Sequence, residues 1–376
     1  ITYIQIIEML QNKIYQNFTI EIFQTFLIIL FGLSMVALTV RAVGFLELIV
    51  ESGYPVLTYF NYSLLNLFGI TTKFIPFSFF LALTVFVLKH SDNNEFSILW
   101  SSGVKKIQIV NLFFLVSILI MILNLLFSVF LTPLALNKSR QLLSSDQFNS
   151  FLPAVKEKQF SDTFKGFTLI VEKKNGDRIE NIFLHDKNNS LKNLSSNSVN
   201  ISSTTIIAKN GILKLRGMTL LEGEIISSKI DSGKNEIINF EQLNISFDDL
   251  STSTIKKPKL QELQTVKLLN CFKSSVDKKF CNENFIQEII SNLNRRIILP
   301  FYIPIISLIC SFLLIKNEKT VFKKITVYSA SIFLIIFAEI AIKYTGINNY
   351  VFMLFVTLPF LLIILFYFLL SLKFSR

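Results

Sequence analysis

The run Lys106 to Lys138, KIQIVNLFFLVSILIMILNLLFSVFLTPLALNK, contains no charged residue between its two terminal lysines. A helix rises about 1.5 Å per residue, so about 20 apolar residues cross a hydrocarbon core roughly 30 Å thick. This run is apolar on every side and far longer than an ordinary strand, so it reads as a membrane-spanning helix. The same reading extends outward in both directions. No charge lies between Glu21 and Arg41, between Arg296 and Lys316, or between Lys343 and Lys373. Lys73 to Lys89 is a shorter span containing Pro76, and the uncharged Ser52 to Thr72 before it reads as an interfacial or re-entrant piece. Ile325 to about Ile342 completes the set and carries Glu339.

Between the third and fourth spans the pattern changes. Phe167 to Glu172, Ile179 to His185, Thr204 to Leu215, Thr219 to Ile226 and Glu236 to Phe247 alternate apolar and polar residues. Asn175-Gly176-Asp177, Asn210-Gly211 and Ser232-Gly233-Lys234 punctuate them as turns. That combination predicts antiparallel strands. Gln261 to Asn294 returns to a helical period. The expected fold is an α+β membrane protein: six transmembrane helices, three plus three, around an inserted antiparallel β domain of jelly-roll type. The expected divisions are 1–136 (spans one to three), 137–294 (the polar insert) and 295–376 (spans four to six).

Composition agrees: 51% of residues are hydrophobic, 39 are Phe, and only 17% are charged, which is a membrane composition. The formal charge of +11 sits largely at the ends of apolar runs and in the insert, as topology signals rather than as a nucleic-acid surface. With both termini cytoplasmic, that side gathers Lys13, Lys89, Lys105, Lys106, Lys316, Lys319, Lys323, Lys324, Lys373 and Arg376. The opposite side has only Arg41, Lys73 and Lys343 near its short loops. The positive-inside rule therefore places the large insert outside the cytoplasm.

No P-loop, G-x-S-x-G or H-E-x-x-H motif occurs, and no cysteine or histidine spacing suggests a metal site. No catalytic residue is assigned, no metal or cofactor is expected in this chain, and any work it does must draw on a partner or a gradient. His90 and His185 read as solitary structural or surface residues. Cys310 lies in an apolar span and reads as a packing residue. Cys271 and Cys281 stand close together on the outer side, and a local disulfide or two unpaired thiols are both open there. No cleavable signal peptide is expected, because the first apolar run is too long for one.

The loop between spans two and three is Lys89-His90-Ser91-Asp92-Asn93-Asn94-Glu95-Phe96-Ser97-Ile98-Leu99-Trp100-Ser101-Ser102-Gly103-Val104-Lys105-Lys106. Ser91 is placed to cap a short helix at about 91–103, with Asp92 and Glu95 in its first turn and Gly103 ending it. Phe96, Leu99 and Trp100 make it amphipathic. It would rest on lipid or dock a cytoplasmic partner, and its acidic start argues against anionic lipid.

Asn94 to Val104 resembles the motif that follows span two in the LptF/LptG family of lipopolysaccharide export permeases. Phe74-Ile75-Pro76-Phe77-Ser78-Phe79-Phe80-Leu81, Arg41-Ala42-Val43-Gly44 and Asn294-Arg295-Arg296-Ile297 are similar to the family at corresponding places. The order of three spans, β domain and three spans matches along nearly the whole chain. Phe167 to Glu172 with Glu180 to Leu184, and Lys343 after span five, resemble the LptF branch more. The chain departs from the family pattern at Asn93-Asn94 and at Glu339. The resemblance implies a permease subunit of an ABC transporter in the bacterial inner membrane, with a periplasmic insert. The implied partners are a second homologous permease (LptG), a cytoplasmic ATPase dimer (LptB) that binds the ATP, and a periplasmic β-jelly-roll bridge protein (LptC/LptA type). The implied coupling residues are Asp92, Glu95, Phe96, Leu99, Ser102 and Gly103.

Lipopolysaccharide carries phosphates, and Arg41 and Lys343 fall at headgroup height, where cations suit them. Ordinary snorkelling is the alternative for each. Glu339 lies one turn before Lys343 and is placed to pair with it along the helix. A membrane receptor or scaffold with a ligand-binding outer β domain is the rival reading.

Overall fold

A computed structural model describes residues 13–50, 54–145, 155–164, 166–187, 201–214, 217–229, 235–246, 259–273, 283–315 and 320–375. Cys281 and the expected turn Ser232-Gly233-Lys234 lie outside the described residues. The chain forms two compact units. One takes Ile1–Thr39, Asn66–Asn137 and Lys259–Arg376, and the other takes Val40–Leu65 and Lys138–Pro258. The helical stretch that precedes span four therefore groups with the spans, although its polar sequence placed it with the insert.

The helices in chain order are α1 (Lys13–Phe45), α2 (Glu47–Val50), α3 (Val56–Asp92), α4 (Glu95–Ser101), α5 (Lys106–Leu126), α6 (Thr132–Ser145), α7 (Thr265–Lys273), α8 (Glu283–Ile297), α9 (Tyr302–Ser311), α10 (Thr320–Thr345) and α11 (Asn349–Ser375). Six stretches of the described residues are long and apolar enough to cross a membrane: Lys13–Val50, Val56–Asp92, Lys106–Leu143, Ile286–Leu314, Lys324–Thr345 and Asn349–Phe374.

The second of these corrects the sequence reading. Val56–Asp92 is one continuous helix with Pro76 inside it, not a re-entrant piece followed by a short span. A proline can be carried within a long membrane helix when neighbouring groups satisfy the freed carbonyl.

The helical unit is built around α9, whose ten residues from Tyr302 to Ser311 are all buried. Apolar or small side chains on every side of that helix make the central position possible. Against it lie Ile109, Phe113, Val116 and Ile120 of α5, spaced to form one stripe, and Phe355 of α11. The Ser117 and Ser307 hydroxyls meet at 3.2 Å, and the Tyr302 hydroxyl donates to the Phe355 carbonyl at 3.0 Å. Helix α1 touches this core through a narrow stripe of Tyr15, Phe18, Ile22, Phe26 and Leu30. Its other faces, with Ile28, Phe31 and Val36, are exposed, as are Phe333 and Ile336 of α10 and Leu361 and Ile364 of α11. An apolar surface that extensive has lipid or protein as its natural solvent.

In span three the α geometry widens to a π turn over Phe127–Leu131. The Thr265 hydroxyl donates to the Val129 carbonyl there at 2.9 Å.

The second unit carries β1 (Ser161–Phe164), β2 (Phe167–Asn175), β3 (Arg178–Asp186), β4 (Ile201–Lys214), β5 (Gly217–Lys229) and β6 (Asn235–Ser246). They form one antiparallel sheet in the order β1-β2-β3-β4-β5-β6. A jelly roll folds its strands into two sheets through crossovers. Among the described residues each strand pairs with its sequence neighbours, so the order is a meander. Leu169, Leu184, Ile206 and Ile225 lie side by side across β2 to β5 and fill one buried face. Asn210-Gly211, expected to turn, lies inside β4 paired with Leu221 and Leu220. Ile182 and Leu220 pack so closely over Gly211 that a Cβ there would meet the Ile182 side chain at 2.6 Å.

Candidate functional site

The candidate site is the junction of α3, α4 and α5 with the base of α1. Helix α3 does not stop at Ser91, where the sequence placed a cap. It runs on through Asp92 and breaks at Asn93. Asn94 then sits at the N-cap position with a left-handed φ of 59° and makes no side-chain cap bond. Asparagine tolerates that backbone, so the pair Asn93-Asn94 is what separates the two helices. Asp92 is thus the exposed last residue of α3 rather than part of the first turn of α4.

Helix α4 ends as Gly103 predicts. Gly103 has φ +95°, its N–H donates to the Trp100 carbonyl at 3.2 Å, and the Val104 N–H donates to the Leu99 carbonyl at 3.1 Å. That pair of bonds is the Schellman stop, with Leu99 and Val104 supplying its apolar contact positions. Ser102 is exposed and its hydroxyl donates to the Leu99 carbonyl at 2.8 Å.

Phe96 is buried at 3% exposure among core residues, and Leu99 and Trp100 pack beside it. Trp100 stacks on Phe96 at 6.0 Å, and the Lys106 ammonium lies 4.7 Å from the Trp100 ring. These groups anchor α4 to its own bundle and leave Ile98, 64% exposed, as the outward apolar residue. Of the expected coupling residues, Phe96 and Leu99 face inward, Glu95 is half-buried, and Asp92, Ser102 and Gly103 are exposed.

His90 is the residue that sequence reasoning passed over. It is only 4% exposed, with its ring 4.2 Å from Phe86 and 5.0 Å from Phe18. Its Nδ1 meets Glu95 Oε2, and its Nε2 lies 3.1 Å from Glu21 Oε2. Lys89 reaches the other oxygen of Glu21 at 2.6 Å. The Asn93 side-chain amide donates to Glu95 Oε1 at 3.1 Å. Bonds from Asn93 first and His90 second hold the Glu95 carboxyl below the usual carboxylate range. The one sequence signal was position: His90 stands five residues before Glu95, at the close of a span. Glu21 is far off in sequence and gave no sign.

At the other end of the helical unit, Arg296 is buried and grips the turn before α7. Its guanidinium donates to the carbonyls of Leu260 (3.0 Å), Gln261 (3.0 Å) and Leu263 (2.8 Å), and to the Thr265 hydroxyl (2.9 Å). Arg295 pairs with Glu339 at 3.0 Å. Glu339 therefore bonds to α8, not to Lys343 along its own helix, because two helices in contact bring Arg295 within reach. Lys343 is an exposed residue in the last turn of α10. Arg41 is an exposed residue of α1 that belongs to the other unit. Cys271 is disulfide-bonded and Cys310 is a buried free thiol.

A bundle of apolar helices interrupted by an antiparallel sheet, with a short helix between its second and third spans, defines the class of multi-pass membrane proteins with an inserted β domain. The sequence model of the lipopolysaccharide export system permease LptF/LptG matches residues 18–373, and the chain belongs to that family. The match spans both branches of the family together. No curated protein matches the chain. A membrane permease of lipopolysaccharide export is thus its class, a component of transport rather than a catalytic enzyme.

Proposed function

We propose that the chain is one of two permease subunits of an ABC transporter that extracts lipopolysaccharide from the inner membrane and passes it to a periplasmic bridge. The carrying observation is α4, a short helix fixed to the end of the bundle with its outer side free. Glu95, Ile98 and Ser102 offer a carboxylate, an apolar knob and a hydroxyl to a cytoplasmic ATPase dimer of the LptB type. The Lys/Arg bias of the short loops supports a reading with α4 and both termini in the cytoplasm and the sheet in the periplasm. The second permease is of the LptG type, and this chain then takes the LptF role.

Arg41 and Lys343 serve the lipid phosphates in this reading. The sheet offers its edge strands β1 and β6 to a bridge of similar β structure by strand addition. The test is co-purification in detergent followed by reconstitution. A stable complex with an ATP-hydrolysing subunit that releases lipopolysaccharide on adding ATP supports the proposal. A kinase partner, or lipid release indifferent to ATP, refutes it.

A further inference from the structure

Helix α4 has only seven residues, Glu95–Ser101. A helix that short is not stable alone, so its position is set by what it is tied to. Phe96 and Trp100 tie it to the core. The polar tie is different in kind, because it runs to another span. Glu95 of α4 and Glu21 of α1 approach opposite nitrogens of one imidazole, that of His90 in the last turn of α3. One ring thus faces a carboxylate at each of its nitrogens. Lys89 supplies a further cation to Glu21. A carboxylate at the base of a membrane helix is expensive unless it is partnered, so these bonds are not easily given up.

Near its start helix α1 meets the core through one narrow stripe of buried side chains, with apolar surface exposed on its other faces. The phenyl rings of Phe18, Phe86 and Phe96 surround the imidazole and shield it from water.

We propose that His90 is a positioning residue that binds α4 to α1, so that a displacement of α4 is passed to the first span through Glu95, His90 and Glu21 as one unit. The proposal rests on the transport reading above, in which α4 receives the ATPase. Two kinds of measurement test it. Spin labels at the exposed positions Asn17 of α1 and Ser97 of α4 report the distance between the two helices in the assembled complex. The narrow distribution of the wild type broadens in His90→Phe, which fits the aromatic cage but cannot donate, and in Glu21→Gln.

In proteoliposomes, lipopolysaccharide released per ATP hydrolysed falls about fivefold or more in both variants. The double variant falls no further than His90→Phe alone, since the first change has already broken the tie. A purely structural residue would lower yield or thermal stability without changing that ratio or the non-additivity. Unchanged distances, an unchanged ratio, or losses that simply add would overturn the proposal while leaving the transport reading intact. If the wild type itself shows no ATP-driven release, the transport reading falls, and the proposed role goes with it even where the distances broaden.

Discussion

Replacing Arg296 with Met gives the sharpest test of how the segment before α7 is held. The guanidinium makes four bonds, to three backbone carbonyls and one hydroxyl, at 2.8 to 3.0 Å. Bonds to a charged donor contribute about 1.5–3 kcal/mol each, but Leu260 and Leu263 are only partly buried and Gln261 is exposed, so water recovers part of that. Removing a buried charge also lifts its desolvation penalty. A net local cost of about 2–4 kcal/mol follows, or roughly a thirty- to thousand-fold increase in opening of the segment. Hydrogen exchange read by mass spectrometry is the assay. The amides of Glu262, Leu263 and Leu268, which bond to Lys259, Leu260 and Gln264, should lose protection by that factor. Those of the buried helix α9 should not change. Arg296→Lys should lose most of the same protection, because one ammonium cannot fan out to acceptors spread from Leu260 to Thr265. Unaltered exchange in the Met variant, or full protection in the Lys variant, would refute the reasoning.

Three further outcomes are expected. Glu95→Ala should weaken association with the proposed ATPase partner about tenfold and lower lipid release, measured by pull-down and in proteoliposomes; full coupling in that variant would remove Glu95 from the docking role. Gly346→Ala should destabilise the helical unit by about 1–3 kcal/mol, seen as a lower unfolding midpoint in detergent, because the added Cβ would fall 2.0 Å from the Gln287 carbonyl oxygen. The lowered pKa of Glu95 sets the sign of an acid effect. Its contribution to holding α4 is complete above the ordinary value of 4.5 and is lost as pH falls through the depressed one. The single tryptophan, Trp100, sits on α4, so its emission should change below 4.5 before the chain unfolds as a whole.

The spans and most of the strands were legible because each depends on a local period. Uncharged runs mark helices that meet lipid, and alternation marked β2, β3, β5 and β6 to within a few residues. Gly103 was legible as a helix stop, since no other residue type takes φ +95° as readily. What sequence missed is long-range. Glu21 to His90 and Arg295 to Glu339 join residues that only packing brings together. The Ser91 cap failed for a local reason. Serine can cap a helix but does not end one, and α3 ran on until Asn94 offered a left-handed residue. Asn210-Gly211 failed because a turn dipeptide is also the pair that lets neighbouring side chains close over a strand. Phe96 and Leu99 were correctly seen as one face of a helix. Which way that face points is settled by the bundle, not by the spacing.

The π turn at Phe127–Leu131 gives span three two angular phases. Each helical residue advances about 100°, so the residue absorbed in the wide turn rotates everything after Thr132 by that amount relative to an uninterrupted α-helix. Deleting one residue between Phe127 and Leu131 would restore the ordinary repeat. That deletion would leave Ala135, now buried, on the face it occupies, because the wide turn already holds the extra residue, and it would withdraw the Val129 carbonyl from Thr265. The wide turn is therefore the joint that lets span three carry one more residue than an ordinary helix without turning the face that follows it.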